Sequence, residues 1–251
     1  VRPRALAVAG DSIVAGEYTG GDLVQIDASG SASRVSLVPA SAPYRPALST
    51  MTADLVEAVL PAGDRLYVAH ELVNHTGDTT SEPVAADYGS VLDGDPKINP
   101  AVSAFSVAAG TPEATGEPVL YARFDGSPRA ASGPVALAAL SSRYVLVANI
   151  SSNSVVVLDT EATTPDARQV ASYAVGAGPS GIAIDAATGR AFVDNAFDGS
   201  ISRLDLTRPF DGETAPRYPA AQTLVRAQAP VYSAAALAGR RLFYDATNPH
   251  V

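Results

Sequence analysis

The chain has no cysteine and no tryptophan, one methionine and three histidines in 251 residues. Without cysteine it can form neither a disulfide nor a thiolate metal site. That absence leaves the redox compartment open, because exported bacterial proteins also lack cysteine. Without tryptophan, a carbohydrate-stacking site loses its best platform. Positive charge is scarce: 17 Lys and Arg stand against 26 Asp and Glu, a net charge of -9. Such a surface repels phosphate backbones and anionic headgroups, which argues against nucleic acid and acidic membranes as partners. No apolar run approaches the roughly 18 residues that span a bilayer. Complete catalytic motifs are missing too. No serine sits in a Gly-x-Ser-x-Gly elbow. The glycine-rich stretches GSPRAASG (126–133) and VGAGPSG (175–181) lack the Gly-Lys-Ser/Thr of a phosphate loop. The first residue is Val1 rather than Met, as in a processed or excerpted chain.

What is present is apolar, small and repetitive. Hydrophobic residues make up 47% and charged residues 17%, enough apolar side chains for a packed globular core. Five segments share one pattern: a short apolar strand, a turn, a second apolar strand, a polar turn, and a third strand ending near Asp. They are 5–27, 55–70 resuming at 101–107, 135–159, 181–206 and 231–246. Aligning the second strands places Val14, Val68, Val147, Val193 and Tyr244 in register, at spacings of 54, 79, 46 and 51. Outer fourth strands are expected at 33–38, 118–124, 168–175 and 222–228. Turn residues fall where the pattern needs them, at Gly20-Gly21, Ser151-Ser152-Asn153 and Asp198-Gly199. A period near 50 with three or four short strands per unit predicts an all-β chain of four-stranded antiparallel β-propeller blades. A single propeller domain over 1–251 is expected. Its blades run over about 4–39, 54–125, 134–176 and 178–228, with a half blade at 230–246. No unit carries a helix-length period, which excludes a helical solenoid.

The third and fourth units read YVLVANISSNSVVVLD and AFVDNAFDGSISRLDL. They resemble the YVTN family of bacterial propeller repeats, with Asn149 and Asn195 at the motif asparagine. Gly16, His70 and Ala246 take that place in the other units. The resemblance implies a seven-bladed wheel, of which about four and a half blades are visible, and an exported setting, periplasmic or extracellular. The final stretch LAGRRLFYDATNPHV (237–251) resembles the phrase that precedes the first haem-binding Cys-x-x-Cys-His in di-haem cytochrome c peroxidase-like proteins, modules associated with some YVTN-type wheels. This chain has no cysteine, so haem c is expected only if another stretch of sequence supplies it.

The 79-residue spacing implies about 27 extra residues between the second and third strands of the second blade, roughly 72–98. Loops of this length are often functional. His70 and Glu71 stand at its entrance. His70, His75, Asp93, Asp95 and Asn99 form a candidate metal set. The oxygen donors Asp93, Asp95 and Asn99 suit calcium, although DGDPKIN has neither the glycine nor the closing glutamate of the twelve-residue calcium loop. A solvated acidic loop is the simpler reading. Asn149, Asp194, Asn195 and Asp245 lie near the ends of second strands. They either line a ligand rim or make hydrogen bonds between blades. His250 is a candidate neighbour of a redox centre.

Three functions follow as expectations. The first is a ligand- or protein-binding scaffold with no catalytic motif and no cofactor of its own. Its partner is another part of the same polypeptide or another chain, and a small ligand fits the same reading. The second is the propeller part of a c-type cytochrome or peroxidase-like redox protein, an enzyme only through a haem module. The third is a lactonase-like hydrolase, for which the acidic loop is the only support.

Overall fold

The computed structural model describes residues 3–37, 52–73, 98–108, 111–112, 117–120, 131–162, 168–210, 217–225 and 232–244. Nearly all of them are strand. The first sheet is β1 (Pro3–Ala9), β2 (Ser12–Glu17), β3 (Asp22–Ile26) and β4 (Ala32–Ser36). The second is β5 (Thr52–Ala62), β6 (Arg65–Val73) and β7 (Ile98–Ala108), extended by the two-residue β8 (Thr111–Pro112) and by β9 (Glu117–Leu120). The third is β10 (Pro134–Ala139), β11 (Tyr144–Asn149), β12 (Ser154–Asp159) and β13 (Gln169–Ala174). The fourth is β14 (Pro179–Asp185), β15 (Arg190–Asn195), β16 (Ser200–Asp205) and β17 (Gln222–Val225). Neighbours in sequence pair antiparallel in every sheet, the up-and-down meander of a propeller blade, except that in the second sheet β9 pairs with β7 rather than β8.

The register expected from the repeat is observed. Val14, Val68, Val147 and Val193 fall on β2, β6, β11 and β15, the second strand of each blade. The four outer strands overlap the expected stretches, β4 and β9 each starting one residue earlier. The Asp that closes the third strand also has a structural reason. Asp27 accepts the Ser29 N–H (2.8 Å), Asp159 the Glu161 N–H (3.1 Å) and Asp205 the Thr207 N–H (2.9 Å). Each is an Asx turn that starts the bend into the fourth strand.

The expected half blade over 230–246 is not a pair of strands. Residues Ala234–Tyr244 form helix α1. Alanine, leucine and arginine dominate this stretch and are strong helix formers. Ser233 caps it, its hydroxyl accepting the Ala236 N–H at 3.2 Å. A short apolar run without β-branched residues fits either period, and here local propensity and the cap decide for helix. Tyr244, aligned with the second-strand valines in the repeat, is the last helical residue.

The chain divides into two compact units, Val1–Asp125 and Gly126–Val251, each holding a pair of stacked blades. In the first, Ala9, Val14, Leu23 and Val35 of blade 1 pack on Ala53, Val56, Leu66, Val68 and Phe105 of blade 2. In the second, Leu146, Ala148, Val155, Val157 and Tyr173 of blade 3 pack on Ala191, Val193 and Leu204 of blade 4. Fully buried valines and leucines of this kind contribute roughly 1.5–3 kcal/mol each before conformational entropy is subtracted. No helix among the described residues is long and apolar enough to cross a membrane.

Candidate functional site

The motif position at the end of the second strand is an interior polar bridge. In blade 4, Asn195 is fully buried. Its amide oxygen accepts from the Ser202 N–H at 3.2 Å and from the Ser200 and Ser202 hydroxyls at 2.9 and 3.0 Å, and its nitrogen donates to the Gly176 carbonyl at 3.3 Å. Gly176 belongs to the crossover from blade 3 to blade 4, so the amide ties the two blades together. The crossover is held from both sides. Asn153, in the β11–β12 turn, accepts the Gly178 N–H at 2.9 Å, and Asp198, in the β15–β16 turn, accepts the Ala177 N–H at 2.8 Å. Asn149 is also fully buried and donates to the Val147 carbonyl at 3.1 Å.

His70 occupies this same position in blade 2. Asn195 is paired with Ser200, and His70 with Ala101. Each reaches the serine two residues further along the third strand, Ser202 for Asn195 and Ser103 for His70. His70 is 0% exposed, with Nε2 2.8 Å from the Ser103 hydroxyl and Nδ1 3.2 Å from the Glu71 carbonyl. A carbonyl only accepts, so Nδ1 carries the proton and Nε2 accepts from the serine. Both ring nitrogens are engaged within the blade. Burial drives the imidazole pKa down to about 4.

The sign of the resulting pH dependence follows directly. The unfolded chain takes up a proton near pH 6.5 and the folded chain does not until about pH 4. Stability is complete above pH 6.5 and falls as pH drops through this window, by about 3 kcal/mol in all. Urea titrations of the wild type and His70→Gln at pH 7, 6 and 5 measure it. The wild type loses stability relative to the variant as pH falls, and parallel curves would contradict the assignment.

Of the other candidate residues, Asp194 and Asn195 are adjacent on one strand and point to opposite faces. Asp194 accepts the Ser180 hydroxyl at 2.9 Å. The buried amides of Asn149 and Asn195 are therefore not brought together with the Asp194 carboxylate at one rim. Asn99 lies on β7, beside the insertion that separates β6 from β7. His75, Asp93 and Asp95, within that insertion, and Asp245 and His250, after α1, lie outside the described residues. Among the described residues, no three His, Asp or Glu side chains converge to hold a metal ion.

Two apolar surfaces are exposed among the described residues. The face of blade 1 that points away from blade 2 carries two cross-strand rows, Val8–Ile13–Ile26 and Leu6–Ala15–Val24. Leu6 and Val8 are 69% exposed and Ile13 is 47% exposed. The alternation of β1 contains the signal, since Ala5, Leu6, Ala7, Val8 and Ala9 put apolar residues on both faces, the pattern of a strand covered on both sides. The second surface is on α1. Arg240 lies over the Phe197 ring at 4.3 Å, and the Tyr244 ring centre is 5.1 Å from it. These contacts seat the helix on blade 4 and leave Leu242 and Phe243 56% and 78% exposed.

No family model and no curated protein matches the chain in sequence. Solved structures do match it in fold. The hydrazine synthase of Kuenenia stuttgartiensis aligns with 80% of this chain and 57% of its own, at 14% identity and a TM-score of 0.57. A 6-phosphogluconolactonase-like protein of Bacteroides uniformis aligns with 92% of this chain and 60% of its own, at 13% identity and a TM-score of 0.53. This chain therefore spans about three fifths of either neighbour's length. At such identities the likeness concerns architecture alone, and it agrees with the sheets: the chain is all-β, built of four-stranded antiparallel propeller blades.

Proposed function

We propose that the chain is an exported docking scaffold, and that the outward face of blade 1 receives another β-sheet, from the same polypeptide or from another chain. The supporting observation is the pair of aliphatic rows ending in Leu6, Val8 and Ile13. Contiguous exposed aliphatic side chains on a sheet are costly in water and mark interaction surfaces. The opposite face of the same blade solves the identical problem by packing on blade 2. A second flat sheet of aliphatic side chains is the complement that fits.

The test compares the wild type with the double variant Leu6→Lys and Val8→Lys. Both side chains are already mostly in water, so the unfolding free energy from urea titration should change by less than about 1 kcal/mol. Concentration-dependent association and binding of a hydrophobic dye, both expected for the wild type, should disappear. A wild type that stays monomeric and dye-silent, or a variant that unfolds, would count against the reading.

One observation favours a second reading, in which the scaffold serves a redox module. Residues 239–244 of the GRRLFYD phrase, GRRLFY, lie on α1, and that helix turns Leu242 and Phe243 outward instead of completing a blade. A docked domain would cover that turn. The absence of cysteine means that these 251 residues do not fit a covalently bound haem, so any haem belongs to the docked domain. The coding sequence after Val251 discriminates: a Cys-x-x-Cys-His soon after it supports this reading, and a stop codon removes it.

A further inference from the structure

Helix α1 sits on blade 4 through a stack of rings and one cation. Arg240 and Tyr244 lie one turn apart on the helix, and both reach the same ring. The Arg240 guanidinium lies over Phe197 at 4.3 Å, and the Tyr244 ring centre is 5.1 Å from it. We propose that this end of α1 binds a segment of a partner protein that presents a single carboxylate beside an aliphatic side chain. The inference rests on the second reading above only in that a partner covers this turn; it concerns the chemistry of that partner, with or without a haem.

Phe197, in the β15–β16 turn, is a fixed platform. It is buried, its N–H donates to the Ala177 carbonyl at 3.0 Å, and its ring lies so close to Gly178 that a Cβ there would stand 2.3 Å from it. The Tyr232 ring flanks the same guanidinium at 5.7 Å, and the Phe243 ring meets Tyr244 edge-on at 5.0 Å. Contacts therefore run unbroken from Tyr232 through Arg240, Phe197 and Tyr244 to Phe243. Tyr232, Leu242, Phe243 and Tyr244 are all exposed. Aromatic rings gathered around an arginine are the composition enriched at protein interfaces. The stack is in place before a partner arrives, which lowers the ordering cost of binding.

The guanidinium selects the partner. Among the described residues Arg240 makes no hydrogen bond and no ion pair; its interactions are the two ring contacts. A ring supplies no lone pair, so all five N–H donors are left for water or a ligand. A carboxylate takes two of them in parallel, a pairing both stronger and more directional than a neutral hydrogen bond. Phe243 stands three residues after Arg240, at a neighbouring position on the helix surface. An aliphatic side chain next to the bound carboxylate therefore meets an exposed ring. The rest of the chain limits how acidic the partner can be. Its net charge of -9 repels an acidic partner at long range, and salt screens that repulsion beyond ~8 Å at physiological ionic strength. One carboxylate gains the pair with Arg240, whereas a long acidic run would meet the repulsion again.

A blocked peptide with one glutamate between two leucines serves as the probe, titrated into the full chain by calorimetry and ligand-observed NMR. Its glutamine counterpart and acetate are run beside it. The glutamate peptide should bind saturably, and the glutamine peptide and acetate at least about tenfold more weakly. Arg240→Gln removes the charge and should weaken the glutamate peptide by about tenfold while leaving the glutamine peptide unaffected. Because Arg240 also seats the helix, Phe243→Ala provides a second variant, at a side chain 78% exposed. It should weaken both peptides and leave the melting temperature unchanged. Absence of saturable binding of the glutamate peptide, equal binding of the glutamine peptide, or unaltered affinity in either variant would each overturn the proposal. Equal binding of acetate would overturn it too, by assigning the site to a small carboxylate. The haem reading stands or falls separately, on the coding sequence after Val251.

Discussion

Replacing Gly21 by alanine is expected to be the most damaging single methyl addition in the first unit, costing about 3 kcal/mol or more. Gly21 closes the β2–β3 turn with φ +63, in the left-handed region that an L side chain adopts only under strain. A Cβ there would stand 1.6 Å from the Ala53 carbonyl oxygen and 2.2 Å from its carbon. Those atoms are backbone of β5, so no rotamer change relieves the overlap, and blade 2 must move away from blade 1. The clash also threatens the neighbouring bond from the Leu55 N–H to the Tyr18 carbonyl, 2.9 Å, which spans the same junction. Gly63 supplies the control. It has the same φ of +63 and nothing within 4 Å of its virtual Cβ. Gly63→Ala should therefore report the backbone strain alone, about 1 kcal/mol. Urea denaturation of both variants isolates the steric cost as their difference. Equal losses would mean that blade 2 yields freely at this turn, against the close packing described above.

The second large effect is expected at Asn195→Asp. The substitution keeps the shape and replaces a donor by an acceptor. The atom that donated to the Gly176 carbonyl becomes an oxygen facing it, and a charge is placed at a fully buried position. Leaving a buried charge without a compensating partner costs about 3 kcal/mol or more. The pH dependence separates this from mere misfit. Burial raises the carboxyl pKa of the introduced aspartate, so the folded chain prefers its neutral form. The deficit relative to wild type should therefore be large at pH 8 and smaller at pH 4.5. Chemical denaturation at the two values measures it, and an identical deficit at both would rule out buried charge as the cause. Asn195→Ala should fall between wild type and the aspartate variant at pH 8, because it removes the bridge without adding charge.

These two positions also show how far the sequence could be read. Alignment of the second-strand valines placed Asn149, Asn195 and His70 at one equivalent position. The structure gives that equivalence its physical content in blades 2 and 4, where the side chain reaches a serine of the third strand. The residue types alone left two roles open at each position, a metal ligand or a hydrogen-bonded side chain for the histidine, and a ligand rim or hydrogen bonds between blades for the asparagines. A histidine looks the same in sequence whether its nitrogens face solvent or a serine and a carbonyl. Burial and partner geometry separate the two, and they come from strands 33 residues apart along the chain. The closing aspartates were readable as part of the repeat because an Asx turn is a local device, completed within two residues.

Alternation of apolar residues, turn glycines, the spacing of the repeats and the strand-ending aspartates by themselves determined the four blades, their strand order and their register. All of these are local signals, repeated often enough to average out exceptions. The last repeat is the exception: a capped, alanine-rich stretch whose helical propensity prevails once no neighbouring strand holds it extended. Tertiary structure alone decided which apolar faces are covered and which are open, and that His70 is buried and neutral. Each of these depends on what lies across a gap from the residue, and residues that meet across a gap between blades leave no fixed spacing in the chain.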